Sequence, residues 1–98
     1  MTHSYFIFKT NNHTGKTIHI CNGSHDTERE CRIQWQSYMY GFYDGAVELL
    51  GSRNFQFMHG THLLSFRMSI TGKMDVEYFC ILDEDEARKL ILDISNNA

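Results

Sequence analysis

The sequence predicts an α+β fold, in which an antiparallel sheet of about five strands carries two packed helices in the order β-β-α-β-β-β-α. Three observations lead to this class. Segments rich in β-branched and aromatic residues recur in hairpin-like pairs, and a long segment with helical periodicity separates them. The chain closes with an acidic segment followed by apolar residues at helical spacing. The 98 residues are 42% apolar and 21% charged, which suits a single α+β domain over residues 1–98.

The first two strands are predicted to form a β-hairpin. Residues 5–9 and 16–21 are rich in β-branched and aromatic side chains, and the turn-forming residues Asn11, Asn12 and Gly15 lie between them. Apolar side chains on both faces of the first strand predict that this strand is covered on both sides. The face that it shares with the second strand should consist of Phe6, Phe8, Ile18 and Ile20.

A long helix should follow the hairpin. Thr27 and Glu30 have the spacing of a capping box, and Gly51, just after Leu50, is the residue type that commonly ends helices. At about 100° per residue, an apolar stripe runs along the side of the helix that would lie on the sheet. This predicted stripe consists of Cys31, Trp35, Tyr38, Phe42, Ala46 and Leu49.

The second half of the chain returns to strands, at residues 54–59, 63–70 and 74–82. A two-residue loop between the last two strands would set Phe66 opposite Glu77 and bury a carboxylate beside the core. A three-residue loop instead aligns Phe66 with Tyr78, and Arg67 meets Glu77 on the solvent face. We therefore expect the three-residue loop.

A second helix should close the fold, with an acidic start and an apolar inner stripe. Asp83 is the predicted N-cap, and the acids that follow it favour the positive end of the helix dipole. The inner stripe should consist of Ala87, Leu90, Ile91 and Ile94. Half of the twelve acidic residues fall between positions 75 and 86. The predicted acidic surface, which would meet a basic partner, is Asp83, Glu84, Asp85 and Glu86.

Charge and cysteine content limit the classes of partner. A formal net charge of -3 and a pI near 6.0 argue against nucleic acid or an anionic membrane surface, because phosphate groups require clustered Lys and Arg. The chain has no long apolar run that would predict a membrane span. Three cysteines, an odd number, without a secretory signal peptide favour free thiols and a cytoplasmic protein.

The sequence contains no recognisable cofactor, metal or catalytic motif. The side chains closest to a zinc set are His19, Cys21, His25 and Cys31. Their spacing is wrong for zinc, because His19 and Cys21 alternate along a strand and Cys31 falls inside a helix, so we expect no metal and no cofactor. His59 and His62 are better explained by a polar turn. No nucleophile elbow or phosphate loop is present, so we expect no enzyme, the alternative being a Cys and a His that meet only in three dimensions.

The long helix carries more apolar surface than a sheet can cover. Ile33, Tyr40 and Val47 recur every seven residues away from the inner stripe, and Tyr43 extends the apolar surface further. This excess must be covered by the last helix, by a loop or by another chain. We therefore predict a homodimer or partner interface at Ile33, Tyr40, Tyr43 and Val47.

These features favour a small non-enzymatic binding or inhibitor protein that occludes a macromolecular partner, as immunity proteins and phage inhibitors do. The partner would be a protein, and the acidic surface favours a basic one. The alternative is a homo-oligomer that binds a small nucleotide-like ligand in an aromatic cleft. In that alternative the ligand-binding residues would be Trp35, Tyr40, Tyr43, Arg53 and Arg67.

Overall fold

A computed structural model describes residues 2–50, 55–59, 64–69 and 74–97 of the chain. In chain order the elements are β1 (His3–Asn11), β2 (Lys16–His25), α1 (Glu28–Leu50), β3 (Phe55–His59), β4 (Leu64–Ser69), β5 (Met74–Ile81) and α2 (Glu84–Asn96). The strands form one antiparallel sheet in the order β2-β1-β5-β4-β3. The predicted class, α+β with an antiparallel sheet and two helices, is confirmed.

The two helices pack on opposite faces of the sheet. On one face the buried side chains of α1 meet those of β1, β4 and β5, in a cluster of Tyr5, Ile7, Cys31, Trp35, Met39, Phe66 and Cys80. On the other face Phe6 and Phe8 of β1 meet Ala87 of α2, with Leu90, Ile91 and Ile94 packed around them. The prediction that β1 is covered on both sides is confirmed, and so is the inner stripe of α2.

The pairing of β4 with β5 follows the predicted register. Phe66 lies opposite Tyr78, and Arg67 lies opposite Glu77. The rings of Phe66 and Tyr78 stack with their centroids 4.8 Å apart, and Arg67 Nε donates a hydrogen bond of 2.6 Å to Glu77 Oε2. Next to the turn the register shifts by one residue between Met68 and Ser69, so that Ser69 lies opposite Met74. The predicted three-residue loop, residues 71–73, lies outside the described part of the chain.

The pairing of β1 with β2 departs from the prediction because the register shifts between Ile7 and Phe8. Ile7 pairs with Cys21 but Phe8 pairs with His19, so Ile20 is the extra residue of a β-bulge. Ile20 packs against the α1 side of the sheet. The predicted face of Phe6, Phe8, Ile18 and Ile20 is therefore wrong, since the bulge reverses the alternation of side chains along β2.

Both helices begin where the sequence predicts. The Thr27 hydroxyl oxygen accepts a hydrogen bond of 3.1 Å from the Glu30 amide, and the Asp83 carboxylate accepts one of 2.9 Å from the Glu86 amide. No helix among residues 2–50 and 74–97 has the length and apolarity needed to cross a membrane.

The inner stripe of α1 differs from the prediction at Tyr38, and the predicted stripe residue Leu49 has a side chain outside the described part of the structure. Met39 is fully buried, whereas Tyr38 is 41% exposed and lies at the edge of the helix contact near Tyr5 and Phe42. The thioether side chain of Met39 has no polar atom that needs water, whereas the Tyr38 hydroxyl stays accessible at the boundary.

Candidate binding cleft

An open cleft of about 490 Å³ lies at the end of the sheet where both helices begin. Its floor is formed by Cys31 and Trp35 from the first two turns of α1 and by Leu82 from the connection between β5 and α2. Trp35 is 2% exposed and is the only tryptophan in the chain. The cleft therefore has an apolar floor, and the fluorescence of Trp35 can report on a ligand bound there.

Strand pairing explains why this cleft exists. His3 at the start of β1 pairs with His25 at the end of β2, so α1 begins beside the start of β1. Phe6 pairs with Ile81 at the end of β5, so α2 begins at the same end of the sheet. The antiparallel pairing of β1 with both neighbours thus brings the N-terminal ends of two helices together on opposite faces.

The rim of the cleft is acidic. Glu28 of α1 faces it with Asp83 and Glu84 at the start of α2, whereas Arg32 is the only Lys or Arg in the lining. With His3 neutral, these residues give the lining a formal charge of -2, from three carboxylates and one guanidinium. The partial positive charge of the helix N-termini offsets part of this negative charge.

The carboxylates of the rim are held by local contacts. Arg32 lies 3.6 Å from the Glu28 carboxylate, one helical turn away, and Arg88 Nη2 donates a hydrogen bond of 2.8 Å to Glu84. Asp83 caps α2. All three acids are exposed, so these contacts are weak and leave carboxylate oxygen accessible to a ligand.

The Cys31 thiol on the cleft floor is not poised to act as a nucleophile. Burial raises the pKa of this thiol, and the nearby Glu28 carboxylate raises it further. Burial also raises the pKa of the Cys21 thiol, and it raises the pKa of Cys80 to about 12. All three cysteines are free, and a raised pKa disfavours the thiolate, which is the nucleophilic form of the side chain.

The candidate zinc set does not come together. Cys21 and Cys31 belong to the α1 side of the sheet, whereas His19 lies opposite Phe8, with its ring 5.4 Å from that ring, on the α2 side. Within the described ranges, no three His, Cys, Asp or Glu side chains converge as metal ligands would.

The predicted acidic surface is exposed, and part of it borders the cleft. Asp83, Glu84, Asp85 and Glu86 are all exposed, and the first two line the cleft. Asp75 is different, because it is 4% exposed and its carboxylate pairs with the His13 imidazole of the β1–β2 turn. The Asp75 carbonyl also accepts a hydrogen bond of 2.7 Å from the Asn12 amide.

The predicted helix interface is divided between two environments. Ile33 is 58% exposed and Tyr40 is 40% exposed on the outer surface of α1. Tyr43 instead packs edge-on against Phe66 with the ring centroids 5.6 Å apart, and Val47 is half-buried. Because α2 lies on the opposite face of the sheet, it is not the cover for the outer surface of α1.

The residues of the nucleotide alternative do not form one site where the structure describes them. Trp35 lies in the cleft floor, Tyr43 packs on the sheet, and Tyr40 lies on the outer helix surface. Arg67 is paired with Glu77 on the face of β4, and Arg53 lies outside the described residues. His62 also lies outside them, and His59 is described only as the last residue of β3.

Sequence reasoning missed His3, Glu28 and Arg32 as parts of a site. Each is ordinary in its local context, and Glu28 and Arg32 resemble any i, i+4 pair on a helix. The sequence does not show the spatial order of the strands, and it is this order that brings residues near positions 3, 30 and 83 together. Comparison with protein-family models, curated proteins and solved structures finds no significant match to this chain.

Proposed function

We propose that this chain is a non-enzymatic binding protein that occludes a macromolecular partner by taking a basic segment of it into the cleft. The observation that carries the proposal is the combination of an apolar floor with an acidic rim. An arginine or lysine side chain matches both parts, because its aliphatic stem can lie along Leu82 and Trp35 while its cationic head meets the Glu84 and Asp83 carboxylates.

The cleft would act as the anchor of a larger contact. A volume of about 490 Å³ holds one or two side chains, whereas a specific protein interface buries about 800 Å² on each partner. Asp85 and Glu86 are exposed in the turn beside the cleft and would supply the surrounding polar rim. Charges of this kind increase the rate of encounter with a basic partner and make that rate sensitive to salt.

Three further observations support binding without catalysis inside the cell. The cleft thiol has a raised pKa, and the rim carboxylates are engaged by arginines or by a helix cap. Three free thiols suit a reducing compartment, so a cytoplasmic location is part of the proposal. Action as an immunity protein or phage inhibitor would follow if the occluded segment belongs to a partner's active surface.

The test uses Trp35 fluorescence as the readout. A blocked peptide of alternating arginine and alanine should change the emission of Trp35 on titration, and the same peptide with glutamate in place of arginine should not. The double variant Glu28→Gln, Glu84→Gln should bind the arginine peptide several-fold more weakly, and added salt should weaken binding to the wild type.

Glu48→Gln is the matched control, because Glu48 is exposed on the same helix but does not line the cleft. It should bind the arginine peptide as the wild type does. Equal binding of both peptides, or an unchanged affinity in the double variant, would show that the acidic rim does not select a cationic ligand.

A second experiment addresses the macromolecular partner. The wild-type chain and the Glu28→Gln, Glu84→Gln variant serve as baits in extracts of the native host, and quantitative mass spectrometry compares what each retains. A partner that occupies the cleft should be enriched on the wild type over the variant. A partner retained equally by both baits binds elsewhere on the molecule.

A further inference from the structure

Strand β2 is an outer edge of the sheet and is built differently from a protected edge. It spans Lys16–His25 and pairs with β1 alone among the strands of the described sheet. Native edge strands usually carry charges, proline, a β-bulge or short length that prevent pairing with another chain, and of these devices the bulge at Ile20 is the one that β2 has within residues 17–25. β2 is ten residues long, residues 17–25 contain no Lys, Arg, Asp or Glu, and the chain contains no proline.

β2 carries an exposed apolar side chain that a partner along this edge would help to cover. Ile18 is 49% exposed and is among the most exposed large hydrophobic side chains in the structure. The bulge at Ile20 bends the strand, yet residues 16–19 and 21–25 on either side of it pair regularly with β1. Two regular segments are therefore available to form a second ladder on the outer side.

The charges at the two ends of β2 identify the partner. Lys16 is the first residue of the strand and Asp26 directly follows its last, and both side chains are exposed. Neither makes an ion pair with another residue in the described ranges. If two copies of β2 pair antiparallel, Lys16 of each copy lies beside Asp26 of the other, which gives two attractive pairs. A parallel pairing would instead place like charges side by side.

We propose that the protein forms a homodimer through antiparallel pairing of two β2 strands, which joins the two sheets into one continuous sheet. Lys16 of each copy lies beside Asp26 of the second copy, and Ile18 is covered in the contact. The side chain of Lys16 is long enough to span the one-residue shift that the Ile20 bulge introduces. None of the three residues lines the cleft, so this dimer is independent of the proposed function.

The two-fold axis of this pairing passes near Cys21, which is midway between Lys16 and Asp26. Directly opposed residues in antiparallel strands have Cα atoms about 4.5 to 5.5 Å apart, which lies within the range that a disulfide bridges. Cys21 is half-buried, whereas Cys31 and Cys80 are buried. Cys21 is therefore the thiol through which two copies can be cross-linked.

The first experiment measures the dimer dissociation constant by analytical ultracentrifugation of the full chain. The charge-reversal variants Lys16→Glu and Asp26→Lys should each weaken the dimer on the order of tenfold, because each converts two attractive pairs into two repulsive ones. The double variant should recover most of the wild-type affinity. Tyr40→Glu, which places a charge on the outer surface of α1, should leave the dimer intact.

The second experiment uses diamide as a two-electron oxidant. Oxidation joins the two Cys21 sulfur atoms, and diamide accepts the two protons and two electrons that the thiols release. The wild type and Cys31→Ser should form covalent dimers, whereas Cys21→Ser should not. A monomeric wild type, single reversals that dimerise as well as the wild type, or a dimer abolished by Tyr40→Glu would overturn the proposal.

Discussion

Gly23 of β2 lies directly beneath the side chain of Tyr5, its partner on β1. A β-carbon at Gly23 would lie 2.6 Å from the Tyr5 hydroxyl oxygen and 2.8 Å from two ring carbons, closer than any normal contact. Tyr5 is 4% exposed, so its ring has little room to move away. The glycine is thus what allows the Tyr5 ring to lie across the edge strand.

Replacing this glycine should therefore destabilise the protein. We expect Gly23→Ala to lower the free energy of unfolding by about 1 to 3 kcal/mol, because the new methyl group overpacks against a buried ring. Urea denaturation followed by circular dichroism measures the change. In the Tyr5→Leu background, Gly23→Ala should lower the free energy of unfolding by less than it does in the wild type, because the buried ring is gone. An equal cost in both backgrounds would show that the strain does not come from Tyr5.

Glycines in the middle of α1 should respond in the opposite direction. Among the described residues, a β-carbon at Gly41 or Gly45 meets no atom within 4 Å beyond the nearby backbone of α1 itself. We expect Gly41→Ala to raise the free energy of unfolding by about 1 kcal/mol, since alanine loses less backbone entropy in a helix. Thermal unfolding gives the comparison. A lowered midpoint would indicate that the helix needs glycine at this position for a reason other than space.

The partly buried imidazole of His19 should be replaceable without loss of stability. Its Nε2 atom is buried without a hydrogen-bond partner in the described part of the chain, and the rings of Phe6 and Phe8 flank it. His19→Leu removes the unsatisfied nitrogen, so we expect a gain of about 1 kcal/mol in unfolding free energy. Chemical denaturation at neutral pH checks it. A less stable variant would mean that the imidazole makes a favourable contact.

Asp75 and Asp85, which both belong to the acidic part of the sequence between positions 75 and 86, should differ sharply in their contribution to stability. Asp75 is buried and paired with His13, whereas Asp85 is exposed in the first turn of α2. We expect Asp75→Ala to cost about 1 to 3 kcal/mol and Asp85→Ala less than about 1 kcal/mol, which is the usual limit of a helix-dipole contribution at the surface. Parallel urea titrations separate the two, and similar losses would contradict the difference in burial.

Stability should fall at alkaline pH because of the buried thiols. Burial raises the pKa of Cys80 from 9.0 to about 12. Between these pH values the unfolded chain releases a thiol proton that the folded chain retains, so the unfolded state binds fewer protons and gains in relative stability. The unfolding free energy should decline from about pH 9 upwards, and Cys80→Ala should reduce the slope over the same range. An unchanged slope in that variant would assign the decline to other groups.

Features that depend on neighbouring residues were predictable from the sequence. The register of Phe66 and Tyr78 follows from alternation, because a one-residue slip would bury Glu77. The N-caps at Thr27 and Asp83 follow from local hydrogen-bonding chemistry. The inner stripe of α2 follows from helical period in a short element with a clear polar side.

Features that depend on three-dimensional context were not predictable in this way. The bulge at Ile20 has no distinctive signature, and it reverses the side-chain faces predicted for the rest of β2. The choice of Met39 over Tyr38 depends on how α1 is rotated against the sheet. The cleft depends on the spatial order of the strands, and nothing near Glu28 in the sequence indicates that Glu84 lies across from it.

The position of β1 between β2 and β5 has a consequence for how the chain folds. β1 forms its hairpin with β2 early along the chain, but its other neighbour is β5, where Ile7 pairs with Cys80. The pairing of β1 with β5 therefore forms only after residues 74–81 have been synthesised, and the entropy of the long loop between the two strands must be lost before the contact forms. Until then β1 lacks its β5 neighbour, and one of its faces lacks the cover of α2. The two halves of the molecule should therefore acquire their native structure together, and more slowly than a chain of local hairpins would.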